Sequence, residues 1–337
     1  MRYTGLLLIM IPLLISCNRG SGLLENEAVG YAQGTTYQIK YLSKQPLDLQ
    51  PAFDSIFRAI DQSMSTYQDN SLISRVNRGD SNVLLDEHFR AVMQRSLEVA
   101  RETQGAFDPT VGPLVRSWGF GESGPQQRLD QASIDSLRQF VGYEDVALRG
   151  SDLRIPEGFR IDFNAIAQGY TVDVISSFLE RKGFTDYMVE VGGEVKARGN
   201  NVDNKTWLIG IDKPTDSLDQ RDRFQVILSL KNRSLATSGN YRKFWTDEET
   251  GMRYAHTIDP ATGKPARNKL LSVSVLADNC TDADAYATAC MVMGTEKAWE
   301  FLLSKPKLDA YLVVAGEDDQ WQIKITEGFR EQIVANP

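Results

Sequence analysis

The chain is 337 residues long, 42% hydrophobic and 24% charged, and carries a formal net charge of −8 from 45 acidic against 37 basic side chains. That balance argues against nucleic acid as a partner, since gripping a phosphate backbone takes a basic patch, and against a polybasic membrane-binding surface. Three cysteines and two histidines, with no CxxC and no His/Cys cluster, exclude a zinc or dithiol centre, so any metal here is a hard cation held by oxygen.

The chain opens with Arg2 and an apolar run from Leu6 to Ile15 broken only by Pro12. The run is too short for a bilayer, which needs roughly 20 apolar residues, and fits a signal peptide over residues 1–16. It ends in Leu14-Ile15-Ser16-Cys17, which resembles the lipobox of bacterial lipoproteins. The expectation is cleavage before Cys17, lipid on its thiol, and an exported protein anchored to the membrane on the periplasmic side. An ordinary signal peptide with a chance cysteine is the plainer alternative. Residues 17–30, small, polar and glycine-containing, are expected to form a lipidated tether. Residues 31–337 suffice for one large domain or two intimately packed ones.

Tyr37–Tyr41 has strand character, and Phe53, Ile56, Phe57, Ile60 and Met64 mark one face of a helix. A second helix carries Phe89, Val92, Met93, Leu97 and Ala100 and ends near Gly105. A third begins around Asn164, shows Val172, Ile175, Phe178 and Leu179, and stops at Gly183. Strands then follow at Tyr187–Val191, Trp207–Ile211, Phe224–Leu230 and Leu271–Ala277. Helices from about Thr281 to Met293 and from Glu296 to Leu303 come next, and Tyr311–Val314 with Trp321–Ile325 closes the chain as a hairpin. On one helix Cys280 and Cys290 stand ~15 Å apart, too far for a disulfide. Mixed runs without regular alternation predict an α+β fold.

Two glycine motifs are decoys. Gly119-Phe120-Gly121-Glu122-Ser123-Gly124 spells GxGxxG, but Pro125 follows it and no apolar helix begins there. Gly263-Lys264-Pro265 lacks the upstream glycine and the hydroxyl residue of a phosphate loop. Both read as turns.

Chemistry concentrates in a few segments. In Thr281-Asp282-Ala283-Asp284-Ala285-Tyr286-Ala287-Thr288, Asp284 and Thr288 share one helical face, an oxygen pair suited to Mg²⁺. The same segment also reads as an N-capped helix, with Thr281 or Asp282 as the cap. Asp162-Phe163-Asn164-Ala165-Ile166-Ala167-Gln168-Gly169-Tyr170 ends a strand-like stretch and opens a helix with small residues, either an anion pocket or simple capping. His256, in His256–Gly263, is a proton acceptor, a phosphate contact or a structural histidine, whereas His88 falls on the polar side of its helix and reads as surface. Ala106-Phe107-Asp108-Pro109-Thr110, Val191-Gly192-Gly193-Glu194 and Ala236-Thr237-Ser238-Gly239 are tight turns.

Taken in order, with Gly34-Thr35 and Met64-Ser65-Thr66-Tyr67 added, these segments resemble the ApbE family of flavin transferases across nearly the whole chain after Cys17. The resemblance implies two intimately packed subdomains, FAD as substrate, and Mg²⁺ on the Ala165 carbonyl, Asp284 and Thr288. Flavin or adenine contacts fall at Tyr67, Ala106, Phe107, Asp108, Asp162, Gln168 and the Ile258 backbone. It implies transfer of FMN from FAD to a threonine hydroxyl of a partner protein with release of AMP. Acceptors would carry a Ser/Thr-Gly-Ala-Ser/Thr motif, often as subunits of sodium-pumping or electron-transfer membrane complexes. His256 is the first choice for the base, with Asp284 or Asp282 behind it. Two positions depart from the family pattern: Gln168 stands where many relatives have lysine, and Gln33 where methionine is common. An Mg²⁺-dependent FAD pyrophosphatase and a non-catalytic flavin-binding lipoprotein are the alternatives.

Overall fold

Alternating side chains build the first unit. Strands β1 (Leu24–Ala32) and β2 (Thr35–Ser43) pair antiparallel across a turn in which Gln33 and Gly34 both take positive φ, the twist a two-residue hairpin needs. The computed structural model describes residues 22–120, 128–214, 223–240, 244–246, 253–317 and 320–335. The expected signal peptide, Cys17 and Gly121 to Gly124 of the glycine loop lie outside the described residues. The expected tether is corrected at its far end. Residues 24–30 are strand, because β1 pairs along its whole length with β2 and buries Ala28.

The amphipathic patterns yield α1 (Gln50–Met64), short α2 (Leu72–Arg78) and α3 (Glu87–Glu102), whose Asp86 cap accepts the Phe89 N–H at 2.7 Å. Then come α4 (Gly112–Ser117), α5 (Gln131–Arg138) and the small hairpin β3 (Ala147–Arg149) and β4 (Asp152–Arg154). Helix α6 (Ala167–Arg181) starts three residues later than Asn164, because the Asp162 carboxylate captures the Asn164 N–H at 2.7 Å and holds 162–166 as a turn. Strands β5 (Tyr187–Val191), β6 (Glu194–Arg198), β7 (Trp207–Asp212), β8 (Phe224–Leu230) and β9 (Arg233–Gly239) follow. Short strands β10 (Phe244–Thr246), β11 (Arg253–Ala255), β12 (Ile258–Asp259) and β13 (Lys264–Pro265) lead into β14 (Leu270–Ala277). Helices α7 (Cys280–Met293) and α8 (Thr295–Leu303), strands β15 (Asp309–Ala315) and β16 (Trp321–Ile325), the turn α9 (Glu327–Arg330) and β17 (Ile333–Ala335) complete the chain.

Eight strands form one antiparallel sheet in the order β1-β2-β5-β6-β9-β14-β15-β16, which makes the fold α+β as expected. Phe53 and Phe57 of α1 and Val172, Ile175 and Leu179 of α6 pack on Ile39, Tyr41 and Val189. Helices α3, α7 and α8 cover the central strands through Phe89, Val92, Met93, Met291 and Leu302. The sheet β17-β8-β7 covers part of the large sheet, with Leu228, Leu230 and Phe329 against Val195, Leu235 and Val313. A fourth cluster joins Leu114 and Trp118 of the α4 segment, Ile134 of α5 and Trp245, Tyr254 and Ile258 of the short strands. Helix α7 is buried on nearly every side, and Cys280 and Cys290 on it are free and buried. No helix among the described residues is long and apolar enough to cross a membrane.

Candidate active site

Two helices touch where one residue has no side chain. A Cβ on Gly169 would lie 2.3 Å from the Cys280 carbonyl oxygen and 2.8 Å from the Asp284 Cβ, so only glycine lets α6 and α7 approach this closely. The Gly169 N–H donates to Asp284 Oδ2 at 3.0 Å. Because α6 begins at Ala167, Gly169 lies in its first turn, where an N–H has no partner within the helix, and the Asp284 carboxylate supplies one.

Asp284 is 6% exposed. Burial pushes its carboxyl far above the ordinary aspartate range, and the Gly169 N–H is the group that pulls it back. A buried carboxylate without a neutralising side chain is stabilised as the anion by a bound cation. One turn on, Thr288 Oγ1 lies 3.3 Å from Ser238 Oγ at the end of β9, and Thr237 Oγ1 lies 2.7 Å from Ser274 Oγ of β14, which fixes that strand end. A carboxylate and a hydroxyl one turn apart on α7 are oxygen donors of the kind that suits a small hard cation completed by ligand phosphates and water. No group of three His, Cys, Asp or Glu side chains among the described residues makes a softer site.

Ala236-Thr237-Ser238-Gly239 is not the expected turn but the end of strand β9, because it pairs with β14, whereas the expected turn at Gly192-Gly193 and the Gly34-Thr35 hairpin meet at the start of α6. A Cβ on Gly192, which has φ +68°, would lie 2.8 Å from Gln168 Nε2 and 2.9 Å from Thr35 Cγ2. The Gly192 N–H donates to the Thr36 carbonyl at 3.0 Å. Gly34-Thr35, Gly192-Gly193 and Gln168 are thereby one cluster.

Asp162 and Asp108 form a second group, joined to the first by the 162–166 turn. The Asp162 N–H donates to the Pro109 carbonyl at 2.8 Å, and Val111 bridges Arg160. Asp108 Oδ1 accepts from the Thr110 N–H at 2.7 Å and its hydroxyl at 2.6 Å, while Oδ2 accepts from the Tyr143 N–H at 3.1 Å. Burial raises both carboxyls, opposed at Asp108 by Thr110 and Tyr143 and at Asp162 by Asn164. With its oxygens committed to this turn, Asp108 shapes the backbone of Ala106 and Phe107. Phe107 is 3% exposed and belongs to the main core, so the contact expected there is through its backbone.

His256 lies half-buried on the segment joining β11 to β12, its ring 6.5 Å from that of Phe120. The turn after it is held by Asp259, which accepts the Ala261 N–H and the Thr262 hydroxyl, and by Trp118 Nε1, which donates to the Gly263 carbonyl at 2.8 Å. Ile258 is buried, leaving its backbone as the available contact. Tyr67 is 65% exposed between α1 and α2.

Three expectations change. Asp282 faces α3, its Oδ1 2.6 Å from Arg95 Nε and its Oδ2 accepting from Asn279 at 3.0 Å, so it is half of an ion pair and not poised as a base. The α7 cap is Asn279, not Thr281 or Asp282; its Oδ1 accepts the Asp282 N–H at 2.8 Å. His88 is not free at the surface but half-buried, with Nδ1 2.9 Å from the Tyr170 hydroxyl.

Two residues went unnoticed in the sequence. Asn77 of α2 accepts the Ile161 N–H at 2.7 Å and donates to its carbonyl at 2.8 Å, clamping the segment before Asp162. Asp173 of α6 holds the start of α7. Both are ordinary polar residues on helices, and their partners lie 84 and 107 positions away. Two clefts, one lined by Arg90, Gln94 and Arg101 and the other by Arg95, Asp173 and Lys196, do not include Asp284, Thr288, Asp162 or His256.

An antiparallel α+β scaffold that gathers hard oxygen donors beside glycine turns and a helix start defines a protein built for a phosphate-bearing ligand. The chain belongs to the ApbE family, whose model matches residues 33–312. It is 37% identical over 315 residues to the FAD:protein FMN transferase of Vibrio cholerae serotype O1, covering 89% of this chain and 90% of that one. It is 32% identical over 317 residues to the FAD:protein FMN transferase of Haemophilus influenzae, covering 90% of each. Among solved structures, the flavin transferase ApbE from Vibrio cholerae aligns with a TM-score of 0.81 and 34% identity over 92% of this chain and 99% of that one. The Pseudomonas stutzeri flavinyl transferase ApbE in its apo form aligns with a TM-score of 0.82 and 30% identity over 94% and 98%.

Proposed function

We propose that this protein is an Mg²⁺-dependent FAD:protein FMN transferase that attaches FMN through a phosphoester to a threonine of an acceptor protein. Flavin transfer follows from family membership and from relatives of that name over most of the chain. The observation that supports the metal-dependent form is the buried Asp284 carboxylate, held by the Gly169 amide at the start of α6, with the Thr288 hydroxyl one turn along the same helix.

In this reading the threonine oxygen attacks the phosphorus on the FMN side of the FAD pyrophosphate. A P–O bond forms to threonine, the P–O bond to the AMP phosphate breaks, and the threonine proton passes to a base. The Ala165 carbonyl, Asp284 and Thr288 would hold Mg²⁺, which would supply charge neutralisation at the pyrophosphate when bound. Gln168 and the first turn of α6 orient the flavin phosphate with amide donors, without the positive charge a lysine would bring. Tyr67 stacks on an aromatic ring of FAD, and the turns at Asp108 and Asp162 present backbone groups to its polar edges. His256 accepts the proton.

The proposal extends to location. Leu14-Ile15-Ser16-Cys17 supports cleavage before Cys17 and lipid on its thiol, which would keep the enzyme at the membrane on the periplasmic side, near acceptor subunits of electron-transfer or sodium-pumping complexes. Cys17→Ser should abolish lipid labelling.

Incubating the protein with FAD, Mg²⁺ and a peptide carrying a Ser/Thr-Gly-Ala-Ser/Thr motif tests the reaction. AMP with a covalently fluorescent peptide is the expected result. AMP with free FMN would make it a pyrophosphatase, and neither product would leave a flavin carrier.

A further inference from the structure

We infer that Asp173 is the positioning residue that sets where Asp284 and Thr288 stand along the site, an inference that rests on the Mg²⁺ reading above. The first N–H groups of any helix lack partners within it. In α7 the local cap Asn279 takes one of them, the Asp282 N–H. The others are taken from outside. Asp173 Oδ1 accepts the Cys280 N–H at 3.1 Å, and Oδ2 accepts the Thr281 N–H at 2.8 Å and the Thr281 hydroxyl at 2.7 Å. Its charge is matched by Lys196 of β6, with Nζ 3.1 Å from Oδ1 and both side chains less than a fifth exposed.

The spacing gives this carboxylate its leverage. Gly169 and Asp173 are one turn apart on α6, as Cys280 and Asp284 are on α7, with Thr288 a turn further along the same face. Two rungs therefore join the helices: Asp173 to Cys280 and Thr281, and Gly169 to Asp284. The second rung alone fixes α7 to α6 by polar bonding at a single point, Gly169. A cleft of about 450 Å³ opens beside the first rung, lined in part by Arg95, Lys196, Asp173 and Thr281. Cys280 and Ala283 pack into the apolar clusters there, and the Asp173 bonds add direction to that packing. The charges in the cleft are spent on one another, Arg95 on Asp282 and Lys196 on Asp173, so the cleft supports the site and is not a second one. The Arg95–Asp282 pair ties α7 to α3 on another face and serves as the comparison.

Outer partners that orient a metal's ligands typically change metal affinity or activity by ~10–100-fold. Asp173→Ala should raise the Mg²⁺ concentration for half-maximal transfer by that factor, with most of the rate recovered at saturating Mg²⁺. The Mg²⁺-dependent rise in melting temperature of the FAD-bound protein should move to higher Mg²⁺ in step, a readout independent of turnover. Asp173→Asn and Lys196→Met should fall between, and either decides the matter should the alanine variant not fold. Arg95→Gln should lower the melting temperature without moving the Mg²⁺ midpoint. Wild-type Mg²⁺ midpoints in the Asp173 and Lys196 variants, or an equal shift in Arg95→Gln, would overturn the inference. Absence of any Mg²⁺ response in the unaltered protein would instead overturn the Mg²⁺ reading, and the inference with it.

Discussion

Helix α7 carries two aspartates two positions apart, and their surroundings are opposite. Asp282 meets Arg95 at 2.6 Å and Asn279 at 3.0 Å, within a network in which Arg95 also reaches Glu98, Glu102 and the Tyr286 hydroxyl. Asp284, roughly 200° around the helix, is buried and accepts the Gly169 N–H, with no ion pair to it among the described residues. A carboxylate whose charge is matched inside the protein contributes to stability. One left unmatched in the interior carries a cost that a proton or a bound cation offsets. The comparison separates structural from functional acids on a single helix, which residue type cannot do.

The sharpest way to break the contrast is Asp284→Ala. It should abolish flavin transfer at ordinary Mg²⁺ while the protein stays folded, because the proposed metal loses its carboxylate and no ion pair among the described residues is broken. Chelation of the unaltered enzyme should reproduce the loss. Full activity of the variant in chelator-treated buffer would move the metal elsewhere. Next in size is His256→Ala, which leaves both faces of α7 intact. Losing a general base slows a reaction by ~10²–10⁴-fold, so single-turnover transfer should fall by that factor with FAD affinity and melting temperature little changed. A joint fall in FAD affinity and melting temperature with near-normal turnover would make His256 structural and pass the proton to another acceptor.

The matched face should answer in stability instead. Arg95→Gln leaves Asp282 and Glu102 without their guanidinium, and breaking a buried pair costs about 3–5 kcal/mol. Arg95 retains a quarter of its exposure, so solvent screening should bring the loss to about 1–3 kcal/mol. Denaturant unfolding measures it, and saturated turnover should be nearly unchanged. A large drop in turnover with no change in unfolding would reverse the roles assigned to the two faces.

How far the sequence revealed this arrangement depends on the kind of contact. Helices α1 and α3 were legible because Phe53, Phe57 and Ile60, and Phe89, Val92 and Met93, recur at helical spacing on a single buried face. Strand β1 read as tether because it is an edge strand rich in Glu, Asn and Gly, with Ala28 its one buried side chain. Strand β9 escaped because Ser234, Thr237 and Ser238 interrupt its apolar pattern, and Ser234 is buried all the same. Helix α7 was visible as a helix, but with apolar residues all round it no periodicity told which neighbour each face meets. The motifs marked Asp284, Thr288, Asp162 and the glycine turns because small residues and oxygen donors occur together there. Asp173, Asn77 and Arg95 work through partners 84 to 187 positions away, and nothing local announces them.

The smallest expected effect tests the matched face by pH. Desolvation raises the Glu102 carboxyl, but Lys305, Tyr286 and Arg95 outweigh it and hold it down at about 2, from an ordinary 4.5. A carboxylate depressed by folding contributes stability that is fully present above its unfolded pKa and is lost as pH falls through its folded one. The window is therefore about pH 4.5 down to about 2. Glu102 is not deeply buried, so screening keeps the contribution modest. Melting temperature measured through that window at low salt should fall less steeply for Glu102→Gln than for the unaltered protein, and the two slopes should converge as salt is added. Parallel slopes would mean that Lys305 and Arg95 do not favour the ionised form of Glu102, and that this face of α7 is held by packing rather than by charge.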